Sequence, residues 1–101
     1  MYRGSTPTLT FRLPKDIDLS MIDKLRIDFS QANINIFSKD LSECFINGND
    51  ISVKLTEEET LRFDSKKNPV KMQLRIGIGE DRIPSDTLYT MVKDIVKEGR
   101  L

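Results

Sequence analysis

The stretch VKMQLRIGI, which spans Val70 to Ile78, alternates apolar residues with polar residues or glycine at every position. Successive side chains of a β-strand point to opposite faces of the sheet, so period-two alternation places one face in a core and the other in water. The stretch therefore predicts a long, half-buried strand, which needs partner strands from elsewhere in the chain.

Six further short segments predict strands by the same alternation or by β-branched and aromatic content. They are Thr8–Leu13, Lys24–Ser30, a strand carrying Ile34, Ile36 and Phe37 with a bulge near Ile36-Phe37, Cys44–Ile46, a strand carrying Ile51, Val53 and Leu55, and Thr87–Ile95. The last segment has a mixed pattern, so an amphipathic helix capped by Asp86 stays open as its alternative.

Turn signals separate these segments. Gln31–Asn33 and the sequence NGND, Asn47–Asp50, predict hairpin turns, and Gly79–Asp86 predicts a longer turn. Pro7 and Pro14 bracket the first strand, which is typical of an edge strand because proline cannot donate to a ladder. In the connector before the second strand, Asp18 to Ser20 could nucleate one helical turn.

The segment LTEEETLRF, Leu55–Phe63, changes period. Thr56 followed three residues later by Glu59 is a capping box, and the glutamates of the first turn favour a helix N-terminus. We predict a helix of one or two turns over Glu57–Phe63, with Leu61 and Phe63 packing inward. In a sandwich, such a helix carries the chain from one sheet to the other.

About seven short strands and one short helical crossover predict an all-β, immunoglobulin-like antiparallel β-sandwich. The 101 residues suffice for a single domain over 1–101. The residues expected in its core are Leu9, Phe11, Leu25, Ile27, Phe29, Ile51, Val53, Leu55, Leu61, Met72, Leu74 and Ile76.

Composition narrows the function classes. Sixteen basic and sixteen acidic residues are spread along the chain without a basic block, so we expect no nucleic-acid partner. The absence of histidine excludes Ser-His and Cys-His catalysis and histidine-ligated metals. The single cysteine, Cys44, is expected to be a buried or half-buried thiol of low reactivity. No apolar stretch is long enough to predict a membrane span, and the N-terminus lacks a signal-peptide pattern.

Three motifs that could carry chemistry have simpler structural explanations. GIGED, Gly77–Asp81, has no following helix, lysine or third glycine, so it predicts a strand end and turn rather than a phosphate loop. Consecutive glutamates Glu57–Glu59 point in different directions on a helix and cannot converge on one ion. NGND lacks the pattern of a calcium loop. We therefore expect no cofactor, no metal and no enzymatic activity.

The outward positions of several predicted strands carry mostly basic and polar side chains. They could form a mixed-charge face for a protein partner, and an ordinary solubilising face is the alternative. The candidate partner-facing residues are Arg12, Arg26, Lys54, Lys71, Gln73 and Arg75.

The opening RGSTPTLTFRLP, Arg3–Pro14, resembles the start of small proteins of phages and prophages of Gram-positive bacteria. The resemblance continues at Leu55–Phe63, at PVKMQLRI, Pro69–Ile76, and at Ser85 and Asp86. It implies a tail- or baseplate-associated structural protein, similar in fold to the immunoglobulin-like N-terminal domain of phage upper baseplate proteins. The implied partners are other virion or tail proteins, or copies of the chain, and the implied location is the host cytoplasm and then the virion.

Two further points stay open. The rigid opening strand could dock on the sheet edge of a neighbour, or the prolines could simply protect an edge. A small glycan-binding module at the bacterial or phage surface is the alternative function, although the expected commitment of most phenylalanines to the core leaves few aromatic rings for sugar stacking.

Overall fold

A computed structural model describes residues 1–84 and 87–94, and these form eight strands and one short α-helix. The elements are β1 (Thr8–Arg12), β2 (Lys24–Gln31), β3 (Ile34–Asp40), β4 (Cys44–Asn47), β5 (Asp50–Lys54), α1 (Glu57–Leu61), β6 (Val70–Ile78), β7 (Asp81–Pro84) and β8 (Leu88–Thr90). Two short 3-10 turns, Leu19–Met21 and Leu41–Glu43, complete the set.

The strands form two antiparallel sheets whose apolar faces pack together. The small sheet has the order β1-β5-β4, and the large sheet has the order β3-β2-β6-β7, with β8 also pairing β6. The chain passes from β5 to β6 through α1, so the predicted all-β sandwich with one helical crossover is confirmed. In an antibody constant domain the second and third strands lie in different sheets, whereas β2 and β3 pair here, so the likeness concerns the two layers and not the strand order.

Both predicted hairpin turns form. Ala32 and Asn33 have φ values of 50° and 63°, as a two-residue turn with positive φ at both positions requires. The register then passes from Phe29 opposite Phe37 to Ser30 opposite Asn35, so Ile36 is the extra residue of the predicted bulge. In the β4–β5 hairpin, Gly48 takes a φ of 60° at the first turn position, where glycine avoids the cost of a side chain.

The helix begins at the predicted capping box. The Thr56 hydroxyl accepts from the Glu59 backbone N–H at 3.1 Å, and a Glu59 carboxylate oxygen accepts from the Thr56 N–H at 2.8 Å. The helix ends at Leu61 and not at Phe63. Its inward residue is also different: Leu61 is only half-buried, whereas Thr60 is fully buried and donates its hydroxyl to the Ser5 carbonyl oxygen at 2.8 Å. Phe63, which follows the helix, is buried as predicted.

The core lies between the sheets. Of the residues predicted for it, all are buried except Leu9 and Leu61, and Leu9 packs against the core while partly exposed. Phe29 stacks on Phe37 with ring centroids 4.7 Å apart, and Phe63 packs against both rings. Further buried members are Leu13, Leu19, Val70 and Val92.

The C-terminal part corrects one prediction. The segment predicted as a long turn over Gly79–Asp86 turns at Gly79 and Glu80 and then forms β7, which raises the number of strands within residues 1–84 and 87–94 to eight. The Ile83 side chain packs against the core at the register position opposite Ile76. In the final segment, predicted over Thr87–Ile95, a strand forms and not a helix, but it spans Leu88–Thr90 and is shorter than predicted. Ser85, Asp86 and residues 95–101 lie outside the described residues.

Candidate functional site

The outer face of the large sheet carries an ion cluster centred on Asp28. Arg26 donates through Nε to Asp28 Oδ1 at 2.6 Å, and Arg75 donates through Nη2 to Oδ2 at 3.1 Å. The Ser38 hydroxyl donates to the same Oδ1 at 2.6 Å. Strand pairing creates this cluster, because Asp28 lies opposite Gln73 of β6 and opposite Ser38 of β3.

The cluster keeps Asp28 ionised. Partial burial by itself would raise the pKa of Asp28, but hydrogen bonds from Ser38 and Arg26, together with the charges of Arg26 and Arg75, lower it below its ordinary value. The arginine side chains remain 61% and 66% exposed, so their guanidinium groups stay available to a partner while the carboxylate fixes their positions.

Four of the six predicted partner-facing residues meet at this cluster. Arg26, Lys71, Gln73 and Arg75 line one shallow hollow of about 380 Å³, together with Asp28, Ser30, Asn33 and Asn35. They share a face because they occupy alternate positions of β2 and β6.

Arg12 and Lys54 do not join them. Both lie on the outer face of the small sheet, at register positions of β1 and β5, so the core separates them from the Asp28 cluster. Arg12 donates through Nε to Asp50 Oδ1 at 3.1 Å, a cross-strand pair on that opposite face. The single predicted face is therefore wrong: the six residues belong to two faces.

A buried lysine was missed by sequence reasoning. Lys39 lies in β3 opposite Ile27, with its side chain only 7% exposed. Its Nζ contacts Glu59 Oε2 at 2.7 Å and Glu43 Oε2 at 3.2 Å. The Glu43 pair has the spacing i, i+4, but Glu59 is twenty residues away in sequence, so no local pattern indicates the contact.

Lys39 and Glu59 each stabilise the charged form of the other. Burial lowers the pKa of Lys39, but hydrogen bonds to Glu59 and Glu43 and their charges raise it above its ordinary value overall. Burial likewise raises the pKa of Glu59, while hydrogen bonds from Lys39 and Thr56 lower it further than burial raises it. The pair ties β3 to α1 and is structural: it joins the large sheet to the crossover.

A second missed feature is an exposed aromatic residue. Phe45 in β4 is 78% exposed. Because Cys44, Phe45 and Ile46 are all apolar, their pattern does not indicate which face of the strand packs on the core. Phe11, Phe29, Phe37 and Phe63 are buried, so four of the five phenylalanines are committed to the core as expected. Tyr2 and Tyr89 are also exposed.

Cys44 is half-buried, as predicted. Burial, and the nearby charges of Glu43 and Asp40, raise the pKa of its thiol to about 11. Such a thiol is almost entirely protonated near neutral pH, which makes it a poor nucleophile.

The GIGED motif, Gly77–Asp81, occupies the end of β6, the turn after it and the start of β7. Gly77 lies inside β6, and Gly79 takes a φ of 59° in the turn after it. No group of His, Cys, Asp and Glu side chains within residues 1–84 and 87–94 could hold a metal ion. In the same residues, no helix is long and apolar enough to cross a membrane. Comparisons of the chain with family models, curated proteins and solved structures give no match.

Proposed function

We propose that the chain is a non-enzymatic structural or assembly protein of a phage or prophage particle, associated with the tail or baseplate, and that it acts through protein–protein contacts. Two observations support this proposal. The segments Arg3–Pro14, Leu55–Phe63 and Pro69–Ile76 resemble such proteins, and the two-layer β-architecture agrees with the fold that the resemblance implies.

The observation that carries the proposal is the edge of the small sheet formed by β4. This strand pairs only with β5 among the described strands, so its other edge offers unpaired backbone groups. Its sequence, CFIN, contains neither charge nor proline, and Phe45 and Ile46 are exposed by 78% and 37%. An uncharged apolar edge strand is the usual template for strand addition by another chain.

The other edge strands carry protective features: β7 contains two charges and a proline, and β8 is only three residues long. Pro7 precedes β1, and the charged Arg12 ends it. The β3 strand has the Ile36 bulge and ends in Lys39 and Asp40. Bulges, charges and prolines discourage edge-to-edge pairing, so β4 is the edge that favours a partner.

Mass spectrometry of particles purified from the induced source strain tests the proposal. We expect the chain in the particles at a copy number that matches a ring or a trimer, with crosslinks that name its neighbour. If particles form without the chain, it is not a virion component, and it is then either an assembly factor or an unrelated protein.

A substitution tests the β4 edge separately. Phe45→Lys places a charge on the exposed edge, and Thr8→Lys places the same charge on β1, the opposite edge of the same sheet. Because both side chains are exposed, neither change should shift the urea midpoint appreciably. We expect Phe45→Lys alone to abolish incorporation into particles, and equal incorporation of both variants would contradict the role of β4.

A glycan-binding module is the second candidate, and one observation favours it. Phe45 lies opposite Ser52, whose hydroxyl is 3.1 Å from that of Thr10, so an exposed ring adjoins a row of hydroxyl groups on the outer face of the small sheet. Titration with cell-wall polysaccharide, compared between the native chain and Phe45→Ala, decides this candidate. Saturable binding that is lost in the variant would favour it over protein contacts.

A further inference from the structure

Basic side chains scattered in the sequence meet along the outer face of the large sheet. Three adjoining hollows follow one another on this face and in the loop beside it. The first two share Arg26 and Arg75, and the last two share Ser30, Asn33 and Lys71. We call this continuous surface the basic track; its charged residues are Lys24, Arg26, Asp28, Lys66, Lys67, Lys71, Arg75 and Arg82.

The first hollow lies over Gly77. Its charged lining is entirely cationic, and its volume is about 460 Å³; the four cations are Lys24, Arg26, Arg75 and Arg82. A Cβ atom at position 77 would lie 3.0 Å from the Lys24 Cβ and 3.1 Å from an Arg82 guanidinium nitrogen. Glycine therefore leaves the space open between cations on β2 and β7.

The third hollow lies at the other end, between the β2–β3 turn, the loop before β6, and β8. Lys66, Lys67 and Lys71 line it, with Tyr89 at the register position opposite Lys71. Asn33 and Asn68 add amide groups to the same lining. The track thus extends from the β6–β7 end of the large sheet to the loop beside β8.

The charge of the track is strongly unequal. It contains seven of the sixteen basic residues of the chain and one of its sixteen acidic residues, Asp28. The neutral chain therefore has one face of positive potential. Such a surface attracts a partner of opposite charge, and its contribution to binding weakens with salt.

We propose that the basic track is the docking surface for an acidic segment of a partner protein, whose carboxylates lie between the cations of the two strands. This inference deepens the proposed function and rests on it. Asp28 shows that a carboxylate fits between Arg26 and Arg75 at hydrogen-bond distance from both. Arginine and tyrosine are among the side chains that protein interfaces favour.

A nucleic acid is the weaker candidate for the same face. Single-stranded nucleic acids bind on basic grooves that carry several aromatic rings for base stacking. Tyr89 is the one aromatic residue among those that line the track in the described part of the chain.

Fluorescence anisotropy tests the proposal with two labelled probes, an oligoglutamate peptide and an oligothymidylate of equal charge, at about 50 and 200 mM salt. The track variant is Lys24→Glu/Lys67→Glu. The matched control, Lys15→Glu/Lys54→Glu, changes net charge equally at exposed positions of the first connector and of the small sheet. Circular dichroism and the urea midpoint verify that both variants fold.

We expect the peptide to bind the native chain and to bind the track variant about tenfold more weakly, with a much smaller loss in the control. Equal losses in both variants would show an effect of net charge and overturn the site. Tighter binding of the oligothymidylate than of the peptide would overturn the acidic protein partner in favour of a nucleic acid. Failure of the peptide to bind overturns this inference alone, because the copy number of the chain in particles tests the proposed function independently.

Discussion

Lys39 Nζ lies 2.7 Å from Glu59 Oε2, and this contact joins the large sheet to the first turn of the crossover helix. Glu59 is also the capping-box residue of that helix. The Glu59 carboxylate therefore caps the helix and also pairs with a buried ammonium group. The stability of the junction between the two sheets should depend on the charge of this carboxylate.

Replacing Glu59 by glutamine tests the charge without removing the cap, because the glutamine amide oxygen still accepts from the Thr56 N–H. We expect a loss of about 1–3 kcal/mol in the free energy of unfolding, since among the described residues Lys39 then keeps Glu43 alone as an ion-pair partner. Lys39→Met should cost less, because it removes the buried charge together with its desolvation penalty. Urea denaturation of both variants measures the difference, and an unchanged midpoint in Glu59→Gln would contradict the prediction.

Stability should fall in acid and again in strong base. The pKa values of Asp28 and Glu59 are lowered in the folded chain, so each carboxylate adds stability above its ordinary pKa of 3.8 or 4.5, and this is lost as the pH falls through the folded value. The pKa of Lys39 is raised, so its contribution is present below 10.5 and is lost as the pH rises through the folded value.

Unfolding free energies measured between neutral pH and about pH 3 check the acid side. The double variant Asp28→Asn/Glu59→Gln should flatten the curve there. Glu80→Gln, at an exposed turn position between β6 and β7, serves as the control and should leave the curve steep. If the unfolding free energy of the native chain does not fall over this pH range, the stabilising role of Asp28 and Glu59 is contradicted.

The Gln31 side chain forms hydrogen bonds with the backbone of the loop after α1. Its Oε1 accepts from the Asp64 N–H at 2.8 Å, and its Nε2 donates to the Asp64 carbonyl oxygen at 2.8 Å. Because Gln31 is buried, Gln31→Ala leaves backbone groups unsatisfied, and we expect a loss of about 1–3 kcal/mol.

Gln73→Ala is the matched control, since Gln73 lies half-buried on the outer face of β6. It should change the unfolding free energy by no more than about 0.5 kcal/mol. Thermal or urea unfolding compares the two variants, and equal effects would show that the Asp64 contacts contribute little.

Cys44 should react slowly with thiol reagents. A pKa of about 11 against the ordinary 9.0 reduces its thiolate fraction near neutral pH, so we expect modification about a hundredfold slower than in the urea-unfolded chain. The rate at which a chromogenic disulfide reagent releases its coloured thiolate measures this rate of modification. Similar rates in the folded and unfolded chains would show that the thiol is accessible and unperturbed.

The sequence by itself determined most of the local structure of this protein, although not β7 or the end of α1. Alternation in Val70–Ile78 predicted β6 within its observed bounds, and Thr56 with Glu59 predicted the helix start. These features depend on neighbours within a few residues, and backbone geometry converts them directly into strands and caps. The all-β sandwich followed from the number of such strands and from the single crossover.

Only the tertiary structure decided which faces meet. Period-two alternation separates the two faces of a strand, but it does not state which strands become neighbours or which edge stays open. Strand pairing therefore placed Arg26 beside Arg75 and left Arg12 on the opposite side of the core. The same long-range packing buried Lys39 against Glu59 and exposed Phe45, because both outcomes depend on residues distant in sequence.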